Sequence, residues 1–110
     1  MSELAALLAD ARAIIDATEA EHAQLPFFVR PLVRRGFVQR TGRDPAGWRA
    51  LLASAPPAAD IARLIAHFEG APARAARGRG ASPDELAEIA RRCAARVATL
   101  SRLHALLCAS

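Results

Sequence analysis

Residues 82–108, SPDELAEIARRCAARVATLSRLHALLC, read as one uninterrupted helix and decide the fold class. Ser82 supplies a side-chain oxygen for the helix start, and Pro83 suits the first turn, where its missing N–H has no partner to lose. Asp84 and Glu85 sit at the positive end of the helix dipole, which explains this acidic pair without any catalytic role. Leu86, Ala90, Cys93, Val97, Leu100, His104 and Leu107 then recur at alternating steps of four and three, a heptad seam over three repeats. Ala90 and His104 weaken the seam. Leu86, Cys93, Val97, Leu100 and Leu107 are therefore the candidate interface residues, for self-association or for docking a partner helix.

Upstream, residues 71–81 (APARAARGRGA) contain no large apolar residue and no acid, and carry Arg74, Arg77 and Arg79. They read as a mobile linker, with Gly70 closing the helix before them. That fourth helix has Ile61, Leu64, Ile65 and Phe68 as its apolar stripe and follows the Pro56-Pro57 break. Asp44-Pro45 is a cap followed by a first-turn proline, opening a third helix through Trp48, Leu51 and Leu52 to about Ser54. A second helix starts between residues 27 and 31, with Pro31 in its first turn or at a kink, and ends at Thr41-Gly42. Ser2 caps a first helix with the stripe Leu4, Leu7, Leu8, Ala11, Ile14, Ile15 and Thr18, ending near Gln24. The sequence thus predicts an all-α single domain over residues 1–110. It is a bundle of about five helices, with long first and last helices and three short ones between.

Charge is divided along the chain. Residues 1–24 carry one Arg and five acids, whereas residues 26–49 carry six arginines and only Asp44. Arg30, Arg34, Arg35, Arg40, Arg43 and Arg49 form a candidate anion-binding face, which Arg74, Arg77 and Arg79 could extend. Guanidinium groups bind phosphate and carboxylate bidentately, so the face predicts affinity for nucleic-acid backbone or an acidic partner. The aromatic residues among them, Phe28, Phe37 and Trp48, match the apolar stripe and are expected in the core. The start of the third helix offers no fork of donors to base edges, so sequence-specific reading of DNA is not expected. The competing reading is a self-associating adaptor, with acidic helix one pairing in trans with basic helix two.

Composition limits the rest. Of 110 residues, 28 are Ala and there is no Lys, Asn or Tyr; all fifteen basic residues are Arg, a bias that GC-rich coding alone produces. Alanine favours helix and close packing but buries little area, and thin cores are often completed by association, so a homo-oligomer or a subunit of a complex is expected. Cys93 and Cys108 on one helix would lie about 22 Å apart, too far for a disulfide, which suits a reducing cytoplasmic setting. No apolar run reaches eighteen residues, so no membrane partner is expected. His104 and Cys108 are one turn apart but lack further ligands, and no metal or cofactor is expected. No catalytic motif is present, and no catalytic residue is assigned.

Overall fold

The computed structural model describes residues 2–78 and 80–109, and all regular structure among them is α-helical. The helices are α1 (Glu3–Ala23), α2 (Arg30–Thr41), the two-turn α3 (Pro45–Leu52), α4 (Ala58–Arg77) and α5 (Pro83–Ala109).

The local signals act as expected at several ends. Ser2 Oγ accepts the Ala5 N–H at 3.1 Å, and Asp44 Oδ1 accepts the Gly47 N–H at 2.8 Å. Pro31 lies in the first turn of α2. That helix closes on Gly42, whose φ of +90° is the left-handed conformation that glycine adopts without strain. Beside this turn, Trp48 Nε1 donates to Thr41 Oγ1 at 2.9 Å, so the indole is buried with its polar atom satisfied.

α4 corrects the expected boundaries. It runs through Gly70 and Pro72 to Arg77, so 71–77 is helix and the connection to α5 is short. Alanine-rich sequence supports the last two turns. Pro72 removes one main-chain hydrogen bond, but Arg74 Nη2 donates to the His67 carbonyl at 2.7 Å and braces the same turn. α4 is therefore 20 residues long, close to α1 at 21, and only two short helices lie between the long ones. Arg74 and Arg77 belong to this helix; Arg79 lies outside the described residues.

α4 packs along α5 as an antiparallel hairpin, α1 lies against α3 and α5, and α2 against α4 and α1. Ala11, Ile15, Phe37, Trp48, Leu52, Ile61, Leu64, Leu100 and Leu103 are fully buried where these helices meet. Two further expectations fail here. Phe28 is 69% exposed, with Phe27 at 77% and Leu32 at 67%, so the first aromatics of the 26–49 segment are outside the core. α5 is also rotated from the expected seam. Its buried stripe is Cys93, Arg96, Leu100 and Leu103, with Ile89 and Leu107 partly buried at either end.

Cys93 and Leu100 thus face the chain's own core, and Leu86, Val97 and Leu107 are half-buried. Leu100→Glu would put an unpaired carboxylate in that core. The penalty is several kcal/mol, against a total stability of roughly 5–15 kcal/mol for a domain of this size. The expected result is loss of the helical circular-dichroism signal, not dissociation into folded protomers, and sedimentation run in parallel distinguishes the two.

Candidate functional site

Most of the expected arginine face is occupied within the fold. Arg49 bonds Asp16 Oδ1 at 2.7 Å and also pairs with Glu19, tying α3 to α1. Arg43 donates to Asp60 Oδ1 at 2.9 Å and lies over the Trp48 ring. Arg30 Nε caps the Leu25 carbonyl at 2.8 Å, and Arg34 has a loose 3.7 Å contact to Asp44. Among the described residues Arg35 and Arg77 make no ion pair or hydrogen bond. The acids of α1 pair within the chain with α3 and α5, not with α2.

Arg40 and Arg74 meet at one imidazole instead. Arg40 Nε donates to Nδ1 of His67 at 3.1 Å, and Arg74 Nη2 lies 3.2 Å from the same atom. Both side chains lie back along their own helices over a glycine one turn earlier. A Cβ on Gly36 would come within 3.0 Å of the Arg40 guanidinium, and one on Gly70 within 2.7 Å of Arg74 Nη1. Two helices thus use the same Gly-x-x-x-Arg arrangement to bring guanidinium groups to one imidazole.

Those two arginines form one side of a cavity of about 550 Å³ between α1, α2, α4 and α5. The other side comes from α5. Arg96 grips Glu21 with both terminal nitrogens, at 3.0 and 2.5 Å, and stacks over Phe68. Arg92 approaches the same carboxylate at 3.3 Å outside hydrogen-bond geometry, and its buried Nε makes no hydrogen bond among the described residues. Glu21 is the one carboxylate lining the cavity, facing four arginines. Leu25, Val33, Phe68, Ala71 and Ile89 supply the apolar wall.

The electrostatics follow from this crowding. Burial, then the charges of Arg74 and Arg40, push His67 down to about 3, so its ring is neutral and Nδ1 accepts from the arginines. Phe37 stands edge-on between His67 and His22, with ring centroids 4.9 and 5.8 Å away. Burial also holds His22 low, with Glu21 opposing. Desolvation lowers Arg40 and Arg74, and for Arg74 the Arg40 charge adds to it. The Cys93 thiol is pushed up by burial. Neither arginine is paired with a carboxylate among the described residues; Arg74 is half-buried and Arg40 exposed, so the pair is short of counter-charge and still reached by solvent.

His67 gives the protein an acid-sensitive step. The unfolded ring protonates near its ordinary value of 6.5, and the folded ring only near 3. Between those values the unfolded chain binds more protons, so stability is complete above pH 6.5 and falls as pH drops through the window. At about 1.4 kcal/mol per unit the full loss is on the order of 5 kcal/mol. Urea unfolding between pH 7 and pH 4 should show a falling midpoint, and His67→Gln should flatten that slope.

Sequence reasoning placed Arg40 and Arg74 among the anion-binding candidates but missed Glu21, His67, Arg92 and Arg96. Arg96 had a readable signal: a lone charge in the apolar stripe Ile89, Cys93, Leu100, Leu103 requires a buried partner. Nothing local announces Glu21 as that partner, 75 residues away. His104 and Cys108 are in contact, with Sγ 3.7 Å from Nε2, but no group of three or more ligating side chains forms among the described residues. No helix among them is long and apolar enough to cross a membrane. Comparison with protein-family models, curated proteins and solved structures finds no match to the chain.

Proposed function

We propose that the chain is a non-catalytic helical binding domain that takes an oxyanion, phosphate or carboxylate, into the cavity between α1, α2, α4 and α5. One observation carries this reading: four arginines line a cavity with a single carboxylate, Arg40 and Arg74 meeting at His67 and Arg92 and Arg96 at Glu21, so three guanidinium charges exceed what Glu21 can match. A bound anion would supply the missing counter-charge through charge-assisted hydrogen bonds in a partly dry site, where they are strong. The titratable groups support binding over catalysis. His67 is neutral with Nδ1 engaged, and the Cys93 thiol is held protonated at neutral pH, so neither is poised as base or nucleophile.

Thermal unfolding in phosphate or pyrophosphate, against sodium chloride at equal ionic strength, tests the reading. At a hundred times Kd a ligand of the native state adds about 2.7 kcal/mol, or roughly 10 °C in a domain of this size. Equal shifts in all salts would reject it.

A second reading keeps the original arginine face in reduced form. Phe27, Phe28 and Leu32 are exposed beside Arg30, Arg34 and Arg35, the pattern of a surface that stacks on or packs against an anionic partner such as single-stranded nucleic acid. Retention of a labelled single-stranded oligonucleotide at low salt, lost in Phe27→Ala/Phe28→Ala, would support it. No retention at low salt would remove it.

A further inference from the structure

The cavity's shape and inventory say more about its ligand than charge alone, and this inference rests on the anion-binding reading above. Arg40 and Arg74 have no carboxylate partner among the described residues, and Arg92 shares Glu21 with Arg96, whose fork already holds it, so these three guanidinium groups are short of counter-charge. A carboxylate ligand brings one negative charge. A phosphate monoester brings between one and a half and two, on three acceptor oxygens, and so comes closer to what these three groups require.

An oxyanion does not fill the site. About 550 Å³ is within the range, ~300–1,000 Å³, of pockets that bury a whole small organic molecule. Away from the charged groups, the wall is Leu25, Val33, Phe68, Ala71 and Ile89. Beyond its arginines, Glu21 and the two histidines, the lining has no side chain free to read hydroxyls or bases. It contains no Ser, Asn, Gln or Tyr, and its one hydroxyl, Thr18, already donates to the Ile14 carbonyl at 2.8 Å. A sugar or nucleobase placed there would leave polar groups unsatisfied, whereas an alkyl or aromatic body would not.

We propose that the ligand is an apolar phosphomonoester. Its phosphate lies between the Arg40–Arg74 pair and Arg92, and its alkyl or aromatic body lies against Val33, Phe68 and Ile89. Gly36 and Gly70 are positioning residues for this head group, since each leaves the space its arginine crosses.

Calorimetric titration of the full chain tests this with inorganic phosphate, hexyl phosphate, hexanoate and glucose 6-phosphate at fixed ionic strength. Hexyl phosphate should bind at least tenfold more tightly than inorganic phosphate and at least fivefold more tightly than hexanoate. Glucose 6-phosphate should gain nothing over inorganic phosphate. Val33→Thr should reduce the hexyl advantage and leave inorganic phosphate unchanged, while Phe27→Ser/Phe28→Ser should leave both unchanged. If inorganic and hexyl phosphate bind equally, or glucose 6-phosphate binds most tightly, the ligand class is wrong although the cavity still binds anions. If the hexyl advantage disappears in Phe27→Ser/Phe28→Ser instead, the apolar body sits on the exposed tip and the class is wrong for the cavity. If none of the four binds, both this class and the anion reading fail.

Discussion

Replacing Arg40 and Arg74 together with methionine should weaken phosphate binding by at least a hundredfold while leaving the protein as stable as before, or more so. Each guanidinium offers the anion a hydrogen bond from a charged donor, worth about 1.5–3 kcal/mol in a partly buried site. Two such bonds correspond to roughly two to four orders of magnitude in affinity. The effect on stability has the opposite sign. Desolvation lowers the pKa of both guanidinium groups, which lie against the same imidazole nitrogen with no carboxylate among the described residues; Arg40 is exposed, so the cost that the unliganded fold carries in holding them is modest. Methionine keeps most of the length and apolar contact and removes the charge. The lost bonds, to Nδ1 and to the His67 carbonyl, offset part of the gain. Gly70→Ala separates geometry from charge. Alanine raises helix propensity by about 1 kcal/mol, but its Cβ would displace the Arg74 guanidinium. Affinity should therefore fall in a variant whose helix is intrinsically better. Isothermal titration and urea unfolding on the same preparations measure both quantities.

Glu21→Gln should act in the reverse direction on both. This carboxylate holds both terminal nitrogens of Arg96, whose side chain is 10% exposed, and lies beside Arg92. Removing one partner of a buried pair typically costs 3–5 kcal/mol, because the remaining charge stays desolvated. Glu21 is itself 36% exposed, so about 2–3 kcal/mol is the expected loss. The variant cavity has four arginines and no acid. Added phosphate then has a larger deficit to fill, and should bind more tightly and restore much of the lost melting temperature. A surface ion pair such as Arg91–Glu88 is the control: breaking it should change stability by less than about 1 kcal/mol and leave phosphate affinity alone.

The parts of the fold set by local chemistry were legible in the sequence. Ser2, Asp44 and Ser82 each cap a helix where the sequence says one should begin, the last two followed by a first-turn proline. The misreadings have physical causes. Gly70 and Pro72 resemble a helix stop. Their glycine instead makes room for Arg74, which braces the turn that the proline weakens, and neither contact is visible along the chain. α2 and the turn before it carry two apolar sets, Phe28 with Leu32 and Val33 with Phe37, and spacing alone could not choose which one the bundle would cover. The rotation of α5 depends on Arg96 counting as a core residue, which it does only because Glu21 arrives from α1. The excess of arginine over acid in residues 26–49 is plain in the sequence, but most of those arginines are engaged within the fold. Their division into paired surface groups and the set that meets at His67 depends largely on partners brought from other helices, Asp60 for Arg43, Asp16 for Arg49 and His67 for Arg40.

The most direct test observes the arginines themselves. Proton–nitrogen correlation spectra of the guanidinium Nε groups, recorded while phosphate is titrated at constant ionic strength, report each site separately. The expected result is that Arg40, Arg74 and Arg92 shift together along one saturable curve while Arg30, Arg34 and Arg35 hardly move. The contrary result is a uniform drift of all exposed arginines, or shifts that begin at Arg30, Arg34 and Arg35; either would show that phosphate does not enter the cavity.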